Sequence, residues 1–199
     1  MTKPSDELIV KPTAQDLATS VLAASRKGPP PVHLWNPPFC GDIDMRIRRD
    51  GVWFHEGTPI GRPGMVKLFS SILKREGERY FLVTPVEKVG IMVDDAPLLA
   101  IDFTATGTGT GQTLTFATLT DDVATAGPAN PIRITYDPVS GEPSPYILIR
   151  ANLEALIDRK SFYRLIDLGT QSLHEGVCWF GLWSGGTFFP VIPAADLPD

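Results

Sequence analysis

The sequence predicts an α+β protein built from two related strand-rich halves, each with one main helix. Three observations lead there. Short runs of alternating apolar and polar residues, bounded by Gly, Pro or Asp-Gly, recur along the chain, and that is strand patterning. Helical periodicity in the globular part is confined to two segments, one opening at Pro63 and one around Phe162. The text leading into both is alike. Ile60-Gly-Arg62-Pro-Gly-Met65-Val-Lys67-Leu68-Phe69 aligns without gaps on Ile157-Asp-Arg159-Lys-Ser-Phe162-Tyr-Arg164-Leu165-Ile166, with Ile, Arg and Leu identical. Each copy follows a strand ending Ile-Arg and precedes one holding an aromatic pair, Tyr80-Phe81 or Trp179-Phe180.

The elements follow in order. Thr13 and Asp16 imitate a capping box ahead of Leu17, Val21 and Leu22, which predicts a short helix. Five prolines between Pro29 and Pro38 then enforce an extended arm, with Trp35 and Phe39 packing down. Residues 1–39 thus form a helix and arm, 40–97 a first α+β domain and 98–199 a second. Ile43–Arg48 and Val52–Glu56 alternate around Asp50-Gly51, a two-residue hairpin signal. Pro63 suits a first helical position, and Met65, Leu68, Phe69, Ile72 and Leu73 mark a buried face. Lys74 and Arg75 suit the last turn of that helix and Gly77 its C′ position. Strands follow at Tyr80–Val83, Lys88–Val93 and Leu98–Thr104. A Thr/Gly hairpin then turns near 107–111 and returns to Thr120. Ile132–Tyr136 and Tyr146–Arg150 are strands, the second helix closes at Gly169, and Val177–Trp183 pairs with Thr187–Ile192 across Gly185-Gly186.

Composition narrows function. Eighteen basic and 23 acidic residues give a net charge of −5. Such a chain gains no counterion release from a phosphate backbone, which argues against nucleic acid and against an anionic membrane surface as partners. No basic-then-apolar leader and no run of about 18–20 apolar residues occurs, so a cytoplasmic protein is expected. Cys40 and Cys178 read as reduced, buried thiols.

Catalytic motifs are weak. Gly107-Thr-Gly109-Thr-Gly111 leads into β-like text rather than a helix, unlike a dinucleotide turn. Gly181-Leu-Trp-Ser184-Gly misses the register of a nucleophile elbow. His33, His55 and His174 lack metal-ligand spacing. Asp42-x-Asp44 with Asp50 is the one carboxylate group suited to Mg²⁺, against the alternative of pairing with Arg46, Arg48 and Arg49. No cofactor is expected, and the balance leans away from an enzyme. Arg62 and Arg159 stand out because an arginine at a helix start opposes the helix dipole. Beside free N–H groups it would complete an anion site; a local acid such as Glu87 or Asp158 would equally satisfy it. Charge is uneven besides: residues 40–90 hold nine basic and seven acidic groups, whereas 91–145 hold one basic group, Arg133, and seven acidic ones.

Cys40-Gly-Asp-Ile-Asp-Met-Arg-Ile, Arg49-Asp50-Gly-Val-Trp-Phe and Gly57-Thr-Pro-Ile60-Gly-Arg62 resemble the bacterial domain-of-unknown-function 1285 family. So do Tyr80-Phe-Leu-Val-Thr84-Pro-Val-Glu87, Asp94-Asp-Ala-Pro97, Pro145-Tyr-Ile-Leu-Ile-Arg150, Ala155-Leu-Ile-Asp-Arg159 and Gly181-Leu-Trp-Ser-Gly. The resemblance implies a duplicated α+β core whose second half is like a pleckstrin-homology fold. It also implies a site between the halves for an anionic, nucleotide-like small molecule, and a role in signal transduction. Arg62, Thr84, Glu87, Arg150 and Arg159 are the residues it points to, with Tyr163 or Trp183 able to stack on a base. Three readings stay open at this point. They are a non-catalytic ligand-binding sensor, a protein-interaction module using the aromatic hairpin or the proline-rich arm, and a metal-dependent hydrolase or transferase using Asp42, Asp44 and Asp50.

Overall fold

Alternating burial sets the first strand: Met45 and Ile47 are buried while Asp44 and Arg46 face solvent. The computed structural model describes Thr19 and residues 30–197. The helix expected near Thr13–Leu22 lies outside the described residues. These divide into two compact units, one of 30–46 with 53–92, the other of 47–52 with 93–197.

The first unit holds a sheet of β1 (Phe39–Ile47), β2 (Trp53–His55), β3 (Thr58–Pro59), β4 (Leu73–Glu76), β5 (Arg79–Val83) and β6 (Lys88–Val93), with helix α1 (Pro63–Ser71). The order across it is β3-β2-β1-β6-β5-β4. Trp53 stacks on Phe69 of α1 with ring centroids 6.3 Å apart, and Ile72, Leu73, Leu82 and Val89 fill the core beside them. The helix is shorter than its periodicity predicts. Ile72 caps it, and Leu73, Lys74, Arg75 and Glu76 pair with Leu82, Phe81, Tyr80 and Arg79 instead of making a last helical turn. Gly77, expected after a helix, turns a hairpin at φ 59. Both uses need a left-handed residue, so the glycine could not decide between them. The proline-rich arm is not extended throughout, since Val32–Leu34 form a 3-10 turn.

The second unit holds β7 (Leu98–Thr106), β8 (Thr113–Thr118), β9 (Val123–Thr125), β10 (Ile132–Tyr136), β11 (Pro143–Arg150), β12 (Leu153–Ile157), helix α2 (Arg159–Ile166), β13 (Thr170–His174), β14 (Val177–Ser184) and β15 (Thr187–Pro193). Six strands run β10-β11-β12-β7-β8-β9, and β13-β14-β15 make a separate sheet. Pairing is antiparallel except between β12 and β7, which run parallel with Ala155 opposite Leu98. Two buried polar side chains tie the sheets together. Ser184 Oγ donates to Ala126 O at 2.7 Å and accepts from Leu114 N at 2.9 Å, and Gln112 Nε2 donates to Trp183 O at 2.8 Å. Helix α2 is held to β7 by Arg164, which bonds Asp102 at 2.6 Å and stacks 4.6 Å from the Phe103 ring centroid.

The two aligned sequence segments occupy equivalent places. Each ends in a helix, and each helix is followed by an antiparallel meander, β4-β5-β6 or β13-β14-β15. The copies differ by one residue at the helix start: Arg62 is the N-cap of α1, whereas Arg159 is the first residue of α2 behind the N-cap Asp158. Gly169 serves close approach rather than a left-handed cap, because a Cβ there would lie 2.1 Å from Phe180 Cζ. The Thr/Gly loop closes on itself, since a Cβ at Gly107 would meet Gly111 O at 2.4 Å.

Candidate functional site

The start of α2 is fixed by its N-cap. Asp158 donates its backbone N–H to Ala100 O at 2.9 Å, and its carboxylate accepts Ser161 N–H at 2.7 Å. This sets Arg159 and Tyr163 one turn apart on the same helix face. The Tyr163 hydroxyl accepts from Arg159 Nε at 3.1 Å and from Nη2 at 3.0 Å. The third arm of the guanidinium, Nη1, faces Glu142 at 4.0 Å. The Tyr163 hydroxyl first, then Glu142, holds Arg159 above the ordinary arginine range, so it is a permanent cation. Tyr163 itself is 57% exposed, and Arg159 Cζ lies over its ring, 5.6 Å from the centroid.

These side chains border a cleft of about 750 Å³ contained in the second unit. Its floor is apolar. Leu156 belongs with Ala96 and Tyr146 to one buried cluster, and Leu99 packs against that cluster. One wall is the 47–52 segment, carrying Arg48, Arg49 and Asp50. Gly51 adopts φ 79 and sits so close that an added Cβ would be 3.1 Å from Leu99 Cβ. Arg49 is anchored by Asp95 and by Ser144 Oγ at 2.8 Å, and Asp95 accepts the Tyr146 hydroxyl at 2.7 Å. Burial first and Asp95 second push the Tyr146 phenol above its usual range, so it stays a donor. Arg133 covers Tyr146, its Cζ 4.1 Å from the ring centroid, and grips Glu154 through two bonds of 2.6 Å. Another border of the cleft is the turn after β10. There the Asp137 carboxyl accepts Ser140 N at 2.7 Å, Ser140 Oγ at 2.9 Å and Val139 N at 3.0 Å, bonds that hold it below the usual carboxylate range. That turn presents Glu142 to the cleft, and the start of β11 presents Pro143 and Pro145.

Of the six residues singled out from sequence, the cleft takes Arg159 and Tyr163. Arg150, also in the second unit, bonds Asp122 at 2.8 Å. Arg62, Thr84 and Glu87 belong to the first unit. Arg62 caps α1 with its backbone in an extended conformation and no side-chain cap bond. Thr84 is fully buried, and its Oγ1 accepts Val86 N at 3.3 Å and Glu87 N at 3.2 Å, so it holds a turn together. Glu87 closes the same turn, its carbonyl accepting Thr84 N at 2.9 Å. Arg48 and Arg49 entered the sequence reading as partners for nearby acids rather than as cleft residues, and Glu142 was not singled out. The signal for the first two was the density of arginines flanking Asp50-Gly51; Glu142 had none.

The acids at positions 42, 44 and 50 do not assemble. Asp42 pairs with Arg79 at 2.5 Å and Asp50 with Arg48 at 3.3 Å. Among the described residues no group of three His, Cys, Asp or Glu side chains could hold a metal ion. Asp42's partner is thus not one of the nearby arginines expected from sequence; Gly90 makes room for it, since a Cβ there would overlap Asp42 Oδ1 at 1.9 Å. Both cysteines are free, but neither is buried: Cys40 is half-buried and Cys178 exposed. No helix of the described residues is long and apolar enough to cross a membrane.

Comparison with known proteins gives a consistent result. The family model described as "Domain of unknown function (DUF1285), N-terminal domain" matches residues 30–96, and its C-terminal companion matches 97–191. No curated protein matches. A crystal structure of a DUF1285 family protein from Silicibacter pomeroyi DSS-3 is 63% identical, with a TM-score of 0.82, covering 90% of this chain and 96% of that one. Another DUF1285 protein, from Shewanella baltica OS155, is 28% identical over 62% of this chain and 90% of its own, with a TM-score of 0.49. With both family models matched in sequence order and a relative at this identity spanning nearly the whole molecule, the chain belongs to the DUF1285 family.

Proposed function

We propose that the protein is a non-catalytic sensor that binds a small anionic, nucleotide-like molecule in the cleft of its second unit. The observation that carries this reading is the meeting of Arg159, the exposed Tyr163 ring and the Arg48–Arg49 wall over an apolar floor. Apolar clefts with a few convergent polar groups are the usual form of small-molecule sites. A guanidinium at the rim offers paired donors to a phosphate or carboxylate. An exposed aromatic beside it offers a face to a planar ring.

Thermal-shift titration of the full chain against a nucleotide panel tests it. A compound at about 100 times its Kd adds about 2.7 kcal/mol. For a chain of this size that raises Tm by roughly 5–10 °C. Arg159→Ala and Tyr163→Ala should each abolish the shift, and Arg62→Ala should leave it. A flat panel would reject the reading and favour a protein-interaction module.

A further inference from the structure

The cleft carries more acid than base. Arg48, Arg49 and Arg159 are set against Asp50, Asp94, Glu142 and Asp158, three positive groups against four negative, a formal balance of −1. A polyanion entering such a site meets net repulsion from its lining. The carboxylates are not equivalent. Asp158 is occupied in capping α2, and Asp50 accepts Val52 N at 3.1 Å and pairs with Arg48. Among the described residues the Glu142 carboxylate meets a single cation, Arg159, at 4.0 Å, and the two side chains are 67% and 76% exposed. An ion pair this long and this exposed is worth little, so a ligand separates its partners at small cost. Once separated, they form an acceptor and a donor side by side, next to the Tyr163 ring.

We infer that the cleft selects an amphoteric ligand: one anionic group held by Arg159, and a planar edge of adjacent N–H donors accepted by Glu142, as a guanine base presents. The inference rests on the proposal above that the cleft binds a small ligand. A carboxylate takes two parallel N–H bonds from a guanine edge and one from hypoxanthine. Adenine turns a ring acceptor toward the carboxylate, so Glu142 repels it. Bonds to a charged partner are strong enough that losing one weakens binding about 10-fold or more.

Isothermal titration of the full chain with guanosine, inosine and adenosine 5′-monophosphates, and with guanosine 5′-triphosphate, provides the test. Guanosine monophosphate should bind best, inosine monophosphate about 10-fold more weakly and adenosine monophosphate weaker still, while the triphosphate gains nothing over the monophosphate. Glu142→Gln keeps the shape of an exposed side chain and removes its charge, so it should bring the guanosine and adenosine monophosphates within about threefold of each other. Equal binding of the two bases by the parent chain, tighter binding of the triphosphate, or an unchanged ratio in Glu142→Gln would overturn the inference while leaving the cleft as a ligand site. Binding of none of the four would overturn the inference together with the proposal beneath it.

Discussion

Gly181 and Gly64 illustrate opposite uses of glycine. Gly181 sits at an irregularity in the β14–β15 ladder, where a Cβ would lie 2.4 Å from Phe189 O. The obstacle is backbone, so the sheet itself must move. Gly181→Ala should therefore destabilise the second unit by roughly 1–3 kcal/mol, as overpacking does. Gly64 lies exposed in the first turn of α1 with nothing within 4 Å of a Cβ. Gly64→Ala should stabilise the first unit by about 0.4–1 kcal/mol through the unfolded chain. Urea midpoints of the two variants check the pair; a lowered midpoint for Gly64→Ala, or an unchanged one for Gly181→Ala, contradicts it. The sequence shows both as glycine and separates neither, because the distinction lies in contacts made across a sheet.

Glu76 links elements rather than neighbours. From β4 it accepts Lys74 at 3.1 Å and reaches past β5 to Lys88 of β6 at 2.8 Å. The Lys88 bond first, then the Lys74 bond, hold its carboxyl below the ordinary value of 4.5. A depressed folded-state pKa means the unfolded chain binds more protons at acid pH, so this contribution is present above pH 4.5 and is lost as pH falls through the folded value. Glu76→Gln should thus flatten the loss of stability below pH 4.5, measured as urea midpoint against pH; an unchanged acid limb would contradict it. Most elements were legible from pattern, including the strands around Asp50-Gly51, the Thr/Gly hairpin and the Gly185-Gly186 hairpin. Two others were not, for different reasons. The turn before β12 uses Ala151 at φ 49, a residue with no turn signature. Strand β4 hides inside a helical stripe, since Leu73 continues the spacing of Leu68, Phe69 and Ile72. Pairing with β5 overrode local periodicity there.

At the scale of the molecule, two of the residues named from sequence, Arg159 and Tyr163, line the cleft. Arg159 drew notice because it offends the helix dipole, and Tyr163 as an aromatic able to stack on a base. The wall of Arg48 and Arg49 was not readable, because it reaches the site from a hairpin more than a hundred residues earlier. That wall makes the second unit discontinuous. Asp94 N bonds Ile47 O at 3.0 Å, Arg49 binds Asp95, and Gly51 closes on Leu99. A fragment of residues 93–197 should therefore unfold at a lower urea midpoint than the second unit of the full chain, followed by the fluorescence of Trp179 and Trp183. Equal midpoints would show that 47–52 adds nothing.

The interruption also orders events during synthesis. Residues 47–52 leave the ribosome before the whole of 53–92, yet their packing partners begin at residue 93. A segment that must wait for chain not yet made cannot complete its unit as it emerges, so the second unit closes only after the first has had its sequence delivered in full. The order of birth and the order of assembly are thereby uncoupled, and no single cut of the gene yields both units whole.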